Sequence, residues 1–173
     1  ELRQIDGRIR QACAGHGQIV GVTGDAGVGK SRLVAEAIRL ANLHGMTGYG
    51  GQSHSYGTNT SYLVWWGIWQ AFFRLDPEAP PEEQARELEG RLAHIDPELV
   101  VRLPLLAAVT RVAIPDNELT QSFDAKLRKS SLEALLVDCL RARAKEGPLF
   151  LVLEDCHWMD PLSRDLLEAT ARD

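Results

Sequence analysis

The run Gly24-Asp25-Ala26-Gly27-Val28-Gly29-Lys30-Ser31 gathers three glycines, a lysine and a hydroxyl into eight residues. Glycines at 24, 27 and 29 let the backbone turn its N–H groups inward, and a helix starting at the end of the run adds its own unpaired N–H groups. Together they make a concave donor site for a polyphosphate. The spacing is G-x-x-x-x-G-K-[ST], the phosphate-binding loop, which needs a strand before it and a helix after it. In that setting Lys30 reaches the β- and γ-phosphates and the Ser31 hydroxyl takes a Mg²⁺ position. The nucleotide-binding run is then Gly24, Asp25, Ala26, Gly27, Val28, Gly29, Lys30, Ser31 and Arg32.

Such a loop also needs a carboxylate at the C-terminal end of a neighbouring buried strand. Leu149-Phe150-Leu151-Val152-Leu153 is the strongest strand signal in the chain, and Glu154-Asp155 follows it directly. Two adjacent acids can divide the work, one orienting metal-bound water and the other polarising the attacking water. Glu154 and Asp155 are therefore the candidate metal and catalytic residues beside Ser31, with Asp155 expected to be the catalytic carboxylate.

These residues require a particular set of elements. Leu2, Ile5, Ile9, Ala12 and Cys13 recur at three- and four-residue steps, which predicts a one-sided helix stopped by Gly15-His16-Gly17. Gln18 to Thr23 reads as the buried strand that feeds the loop. Leu33, Val34, Ala37, Ile38 and Ala41 predict the helix after it, ended by Gly45. Met46 to Gln52 is a weaker, Gly-rich strand. From Thr60 to Glu146 the pattern is helical, punctuated by Asp76-Pro77, Pro80-Pro81, Asp96-Pro97, Pro104 and Pro115. The last helix of this stretch carries Leu132, Leu135, Leu136, Cys139 and Leu140 on one face. Asp160-Pro161 caps a closing helix, Asp as N-cap and Pro at the first helical position. The fold expected is α/β: a three-layer P-loop domain over 1–173 with a parallel sheet and a helical insertion at 60–146.

The chain has 173 residues, 19 Lys+Arg against 24 Asp+Glu, a net charge of −5 and 45% apolar residues. Its mean hydropathy is −0.17. One soluble domain of this size can bury about 70% of its unfolded surface without a disulfide or structural metal. Cys13, Cys139 and Cys156 show no metal-ligand or redox spacing, which fits a reduced, cytoplasmic setting. The longest apolar stretch, Tyr62 to Phe73, is too short to span a bilayer, and Glu1-Leu2-Arg3-Gln4 does not open a signal peptide. Without a Lys/Arg block, direct nucleic-acid contact is not expected.

Gly24 to Ser31, Leu151 to Pro161 (Leu-Val-Leu-Glu-Asp-Cys-His-Trp-Met-Asp-Pro) and Ser122 to Lys129 together resemble the ATPase domain of STAND-type signalling ATPases. The group most similar is that of bacterial proteins fused to class III adenylate/guanylate cyclase domains, with LuxR-type regulators as cousins. The resemblance implies ATP or ADP with Mg²⁺, slow hydrolysis and a switching role in a parent protein. Its partners would be other domains of that protein, a repeat sensor and a cyclase or DNA-binding output, with nucleotide-dependent self-association possible. It puts Glu154 where the family usually has the Mg²⁺-directing Asp, and Asp155 at the second acidic position. It also implies the strand order 5-1-4-3-2, in which one strand lies between that of Gln18–Thr23 and that of Leu149–Leu153. The chain ends at Asp173, before such a strand, so a truncated domain without that ladder is expected. Other classes remain open: an assembly module that binds nucleotide without turnover, and a small-molecule kinase.

Secondary signals carry two readings each. Tyr62, Trp65, Trp66, Trp69, Phe72 and Phe73 fall at helical spacing, as core packing against the sheet or as a docking face. Lys126, Arg128 and Lys129 form a solvated helix face or reach toward a phosphate. His157 contacts a γ-phosphate or orients its loop over a packed Trp158.

Overall fold

The computed structural model describes residues 1–172, with Tyr56 described by its backbone alone. Asp173, the last residue of the expected domain, lies outside the described residues. The chain divides into two compact bodies, Glu1–Gly48 with Arg143–Leu151 and Tyr49–Ala142 with Val152–Asp173.

In the first body, α1 (Leu2–Cys13) buries Ile5 and packs against α2 (Lys30–Leu43). The Asp6 carboxylate joins the two helices, accepting from Arg10 at 2.7 Å and lying 3.0 Å from His44 Nε2. The His44 hydrogen bond, with Arg10 behind it, holds Asp6 below the usual carboxylate range. Helix α2 ends as glycine chemistry dictates: Gly45 takes φ +75°, and the Met46 N–H reaches back to the Ala41 carbonyl at 3.1 Å.

The strand expected at Gln18–Thr23 does not form; the segment is irregular throughout. A strand exists through the hydrogen bonds of a neighbour. The apolar run supplies propensity, but among the described residues no strand pairs with it, and Ile19 and Val20 are 75% and 48% exposed.

The sheet consists of β1 (Thr47–Gln52) and β2 (Leu149–Glu154). Thr47 N–H donates to Pro148 O and Ser53 N–H to Glu154 O, each at 3.0 Å. The offset is the same at both ends, so the pair is parallel and without a bulge. The expected parallel sheet is thus present as two strands among the described residues, and β2 carries no ladder to Gln18–Thr23.

The second body is helical apart from its share of those strands. It holds α3 (Leu63–Phe72), α4 (Pro81–Ile95), α5 (Ala107–Thr110), α6 (Glu118–Gln121), most of α7 (Ala125–Glu146) and α8 (Pro161–Arg172). Pro97–Leu106 is a 3₁₀ segment between α4 and α5. Pro81 at the first position and Glu82 and Glu83 in the first turn start α4 as the sequence suggests. Trp65, Trp69 and Phe73 are fully buried with Leu88, Leu92, Leu135 and Leu136, so the aromatic stripe is core. Trp66 stands at its edge, under the Arg111 guanidinium at 4.6 Å. Helix α3 approaches β1 closely because β1 is glycine-rich: a Cβ on Gly51 would collide with the Val64 carbonyl oxygen. No helix among the described residues is long and apolar enough to cross a membrane.

Candidate functional site

The loop before α2 adopts the conformations its glycines were expected to supply. Gly24, Gly27 and Gly29 have φ of +156°, +82° and +96°, a region side chains disfavour. Gly29 is the N-cap of α2 and brings no side chain to the helix end. Its carbonyl accepts the Leu33 N–H at 3.0 Å, which leaves the N–H groups of Lys30, Ser31 and Arg32 outside the helix's own ladder. The Lys30 ammonium donates to the Gly24 and Asp25 carbonyls at 2.8 and 2.7 Å. Two of its three donors thus stitch the loop into a ring, and one stays available to an anion. Asp25, Ala26, Val28, Ser31 and Arg32 are exposed around this ring.

The acidic pair belongs to the second body. Glu154 closes β2, half-buried, with its carbonyl held by Ser53. Asp155 is exposed at φ +54°, a left-handed conformation uncommon for a non-glycine residue. Its Oδ2 accepts from Gln52 Nε2 at 3.0 Å. A 3₁₀ turn, Cys156–Trp158, follows, with the Trp158 N–H on the Asp155 carbonyl at 2.9 Å. The Cys156 Sγ donates to Leu153 O at 3.3 Å, and burial pushes its thiol up. The rings of His157 and Trp158 touch at 4.9 Å between centroids. Trp158 is 41% exposed, so it does not pack beneath the loop as expected.

Gln52 is the residue sequence reasoning missed. It stands at the end of the weaker strand, and only the parallel register of β1 on β2 brings it to the acids. Of the basic run 126–129, Arg128 and Lys129 are engaged elsewhere. Arg128 donates to Asp116 at 2.8 Å and to Thr120 O at 2.9 Å, and the Arg128 hydrogen bond, followed by that of Thr120, holds Asp116 below its usual range. Lys129 pairs with Glu133 and Asp165 at 3.0 and 3.1 Å.

Among the described residues no three His, Cys, Asp or Glu side chains gather as a ready metal site. The donors expected for Mg²⁺, the Ser31 hydroxyl and the carboxylates of Glu154 and Asp155, are all hard oxygens. Hard oxygens are the donor type Mg²⁺ takes, alongside several waters and phosphate oxygens.

The sequence profile of the AAA ATPase domain matches residues 1–173. This chain belongs to that family. Nucleotide binding and ATPase chemistry are the class of activity an AAA ATPase domain carries. An uncharacterized protein of Rhizobium meliloti (strain 1021) is 30% identical over 181 residues, which cover 99% of this AAA ATPase domain and 16% of that protein. The chain therefore spans about a sixth of the length of the curated relative it matches. No solved structure matches it significantly.

Proposed function

We propose that this domain is the Mg-ATP/ADP-binding switch of a larger cytoplasmic signalling protein, hydrolysing ATP slowly when the parent protein is intact. The observation that carries the reading is the loop 24–31, a ring of left-handed glycines closed by the Lys30 ammonium at an uncapped helix start. Phosphate oxygens would take the N–H groups of residues 30–32 and the remaining Lys30 donor. Mg²⁺, when bound, would neutralise charge on the phosphate oxygens, with Ser31 and Glu154 as its protein partners. Asp155 would accept a proton from the attacking water as its oxygen bonds the γ-phosphorus and ADP departs. The run Leu151 to Pro161 supports placing the parent among STAND-type regulators, with cyclase or DNA-binding output, a repeat sensor and nucleotide-dependent self-association.

Calorimetric titration of ATP onto wild type and Lys30→Ala tests this reading. Loss of a charge-assisted contact should weaken binding by about 10- to 100-fold and leave a residue of affinity from the backbone donors. Equal affinities would overturn it. The hold of Gln52 on Asp155 favours a second reading, binding without turnover, and single-turnover hydrolysis by the intact parent protein separates the two. A kinase-like sheet, with Gln18–Thr23 laddered to β2, finds no support in the β1–β2 pair.

A further inference from the structure

The eight residues from Glu154 to Pro161 do more than end a strand and start a helix. Asp160, five residues beyond Asp155, is only 4% exposed, and a single carboxylate oxygen, Oδ1, accepts two backbone N–H groups. One comes from Ser163 at 3.0 Å, the ordinary bond of an N-cap. The other comes from Tyr62 at 3.3 Å, 98 residues away in sequence, at the start of α3. Capping α8 requires only the first. Trp65 Nε1 adds a second tie between α3 and α8, donating to Ser163 O at 3.1 Å.

Among the described residues, two of the four non-glycine positions with positive φ belong to this connecting strip, the others being Arg74 and Arg111. Tyr62 has φ +60° and Asp155 φ +54°, both left-handed and neither glycine. For a buried aromatic this is an outlier, and such residues persist where the surroundings over-determine them. Gln52 restrains the strip at the Asp155 end and Asp160 restrains Tyr62 at the other. If Asp155 leaves Gln52 for water at a γ-phosphate, a segment only five residues long must carry the change to Asp160.

We infer that Asp160 is a positioning residue that couples the acidic pair to helix α3, so that the helical part of the molecule follows the state of the nucleotide. This rests on the nucleotide-switch reading above. It assigns the second hydrogen bond of Asp160 a role that capping does not explain.

The test is hydrogen exchange at the amides of residues 63–72 in the intact protein that carries this chain, with and without saturating Mg-ATP, after calorimetry has established binding. In wild type the exchange rates of α3 should change about tenfold on binding, because its first turn is tied to the strip. Asp160→Ser keeps a cap for α8 but is too short to hold Tyr62 as well. It should bind Mg-ATP within about twofold of wild type, lose the α3 response and lower kcat about tenfold with KM unchanged, the scale of a small misplacement of a reacting group. Asp160→Asn retains Oδ1 and should restore both the response and kcat. Binding without any change in α3 of wild type, or an undiminished response in Asp160→Ser, overturns the coupling alone. Absence of binding in wild type overturns the nucleotide reading and the coupling with it.

Discussion

Asp155 holds a backbone conformation that costs a non-glycine residue about 1–3 kcal/mol, and the Gln52 amide is the side chain seen to restrain it. Asparagine tolerates that conformation and still offers an oxygen to Gln52, so Asp155→Asn changes the basicity of the group and little else. If Asp155 polarises water, Asp155→Asn should bind Mg-ATP about normally and lose about 10²-fold or more in turnover by the intact parent protein. Glu154→Gln should instead weaken Mg-ATP binding. Steady-state hydrolysis set beside calorimetry decides this, and the reverse pattern would exchange the two roles.

At the scale of elements, the glycines of β1 set how closely α3 can lie. A Cβ at Gly51 meets the Val64 carbonyl, main chain that can move only with its helix. Gly51→Ala should therefore cost about 1–3 kcal/mol, the range for overpacking a filled site. Gly90 offers a contrast within α4, where a Cβ meets nothing within 4 Å. Gly90→Ala should stabilise by about 0.5–1 kcal/mol, since alanine loses less conformational freedom in a helix. Urea denaturation of both variants checks the opposite signs. The helices themselves were legible from their periodicity and caps: α1, α4 and α8 start or stop where Pro, Gly and Asp suggested, and α7 follows its apolar face. The strand at 18–23 was not, because alternation and apolarity report suitability for a sheet and say nothing of whether a neighbour is there to pair.

For the molecule as a whole, stability at high pH depends on Tyr62. Burial raises its hydroxyl from an ordinary 10 to about 12, with Glu133, Asp160 and Asp165 adding to the shift and Lys129 opposing it. The folded state favours the neutral phenol, so this contribution is complete below pH 10 and is lost as pH rises from 10 toward 12. Urea midpoints across that window should fall more steeply in wild type than in Tyr62→Phe, and parallel curves would contradict it. Asp6 and Asp116 act at the opposite end, favouring the folded state above the usual carboxylate range and losing that effect as pH falls. Both lie in water-accessible pairs, where screening keeps such effects small.

What the sequence determined by itself was whatever depends on residues close together along the chain. Glycine at 24, 27 and 29 and lysine at 30 define the loop through local φ requirements and the helix that follows, and the positive-φ glycines and the helix from Lys30 are both present. The Asp160-Pro161 cap belongs to the same class. Tertiary structure alone decided the rest. Gln52 meets Asp155 across 103 residues, and Tyr62 meets Asp160 across 98. Arg128 and Lys129 are engaged by Asp116, Glu133 and Asp165, when their charge had left a phosphate role open. Hydrogen bonds and ion pairs act over about 3–4 Å, so their partners are chosen by strand register and helix packing, and those are set by the burial of Trp65, Trp69, Leu135 and their neighbours.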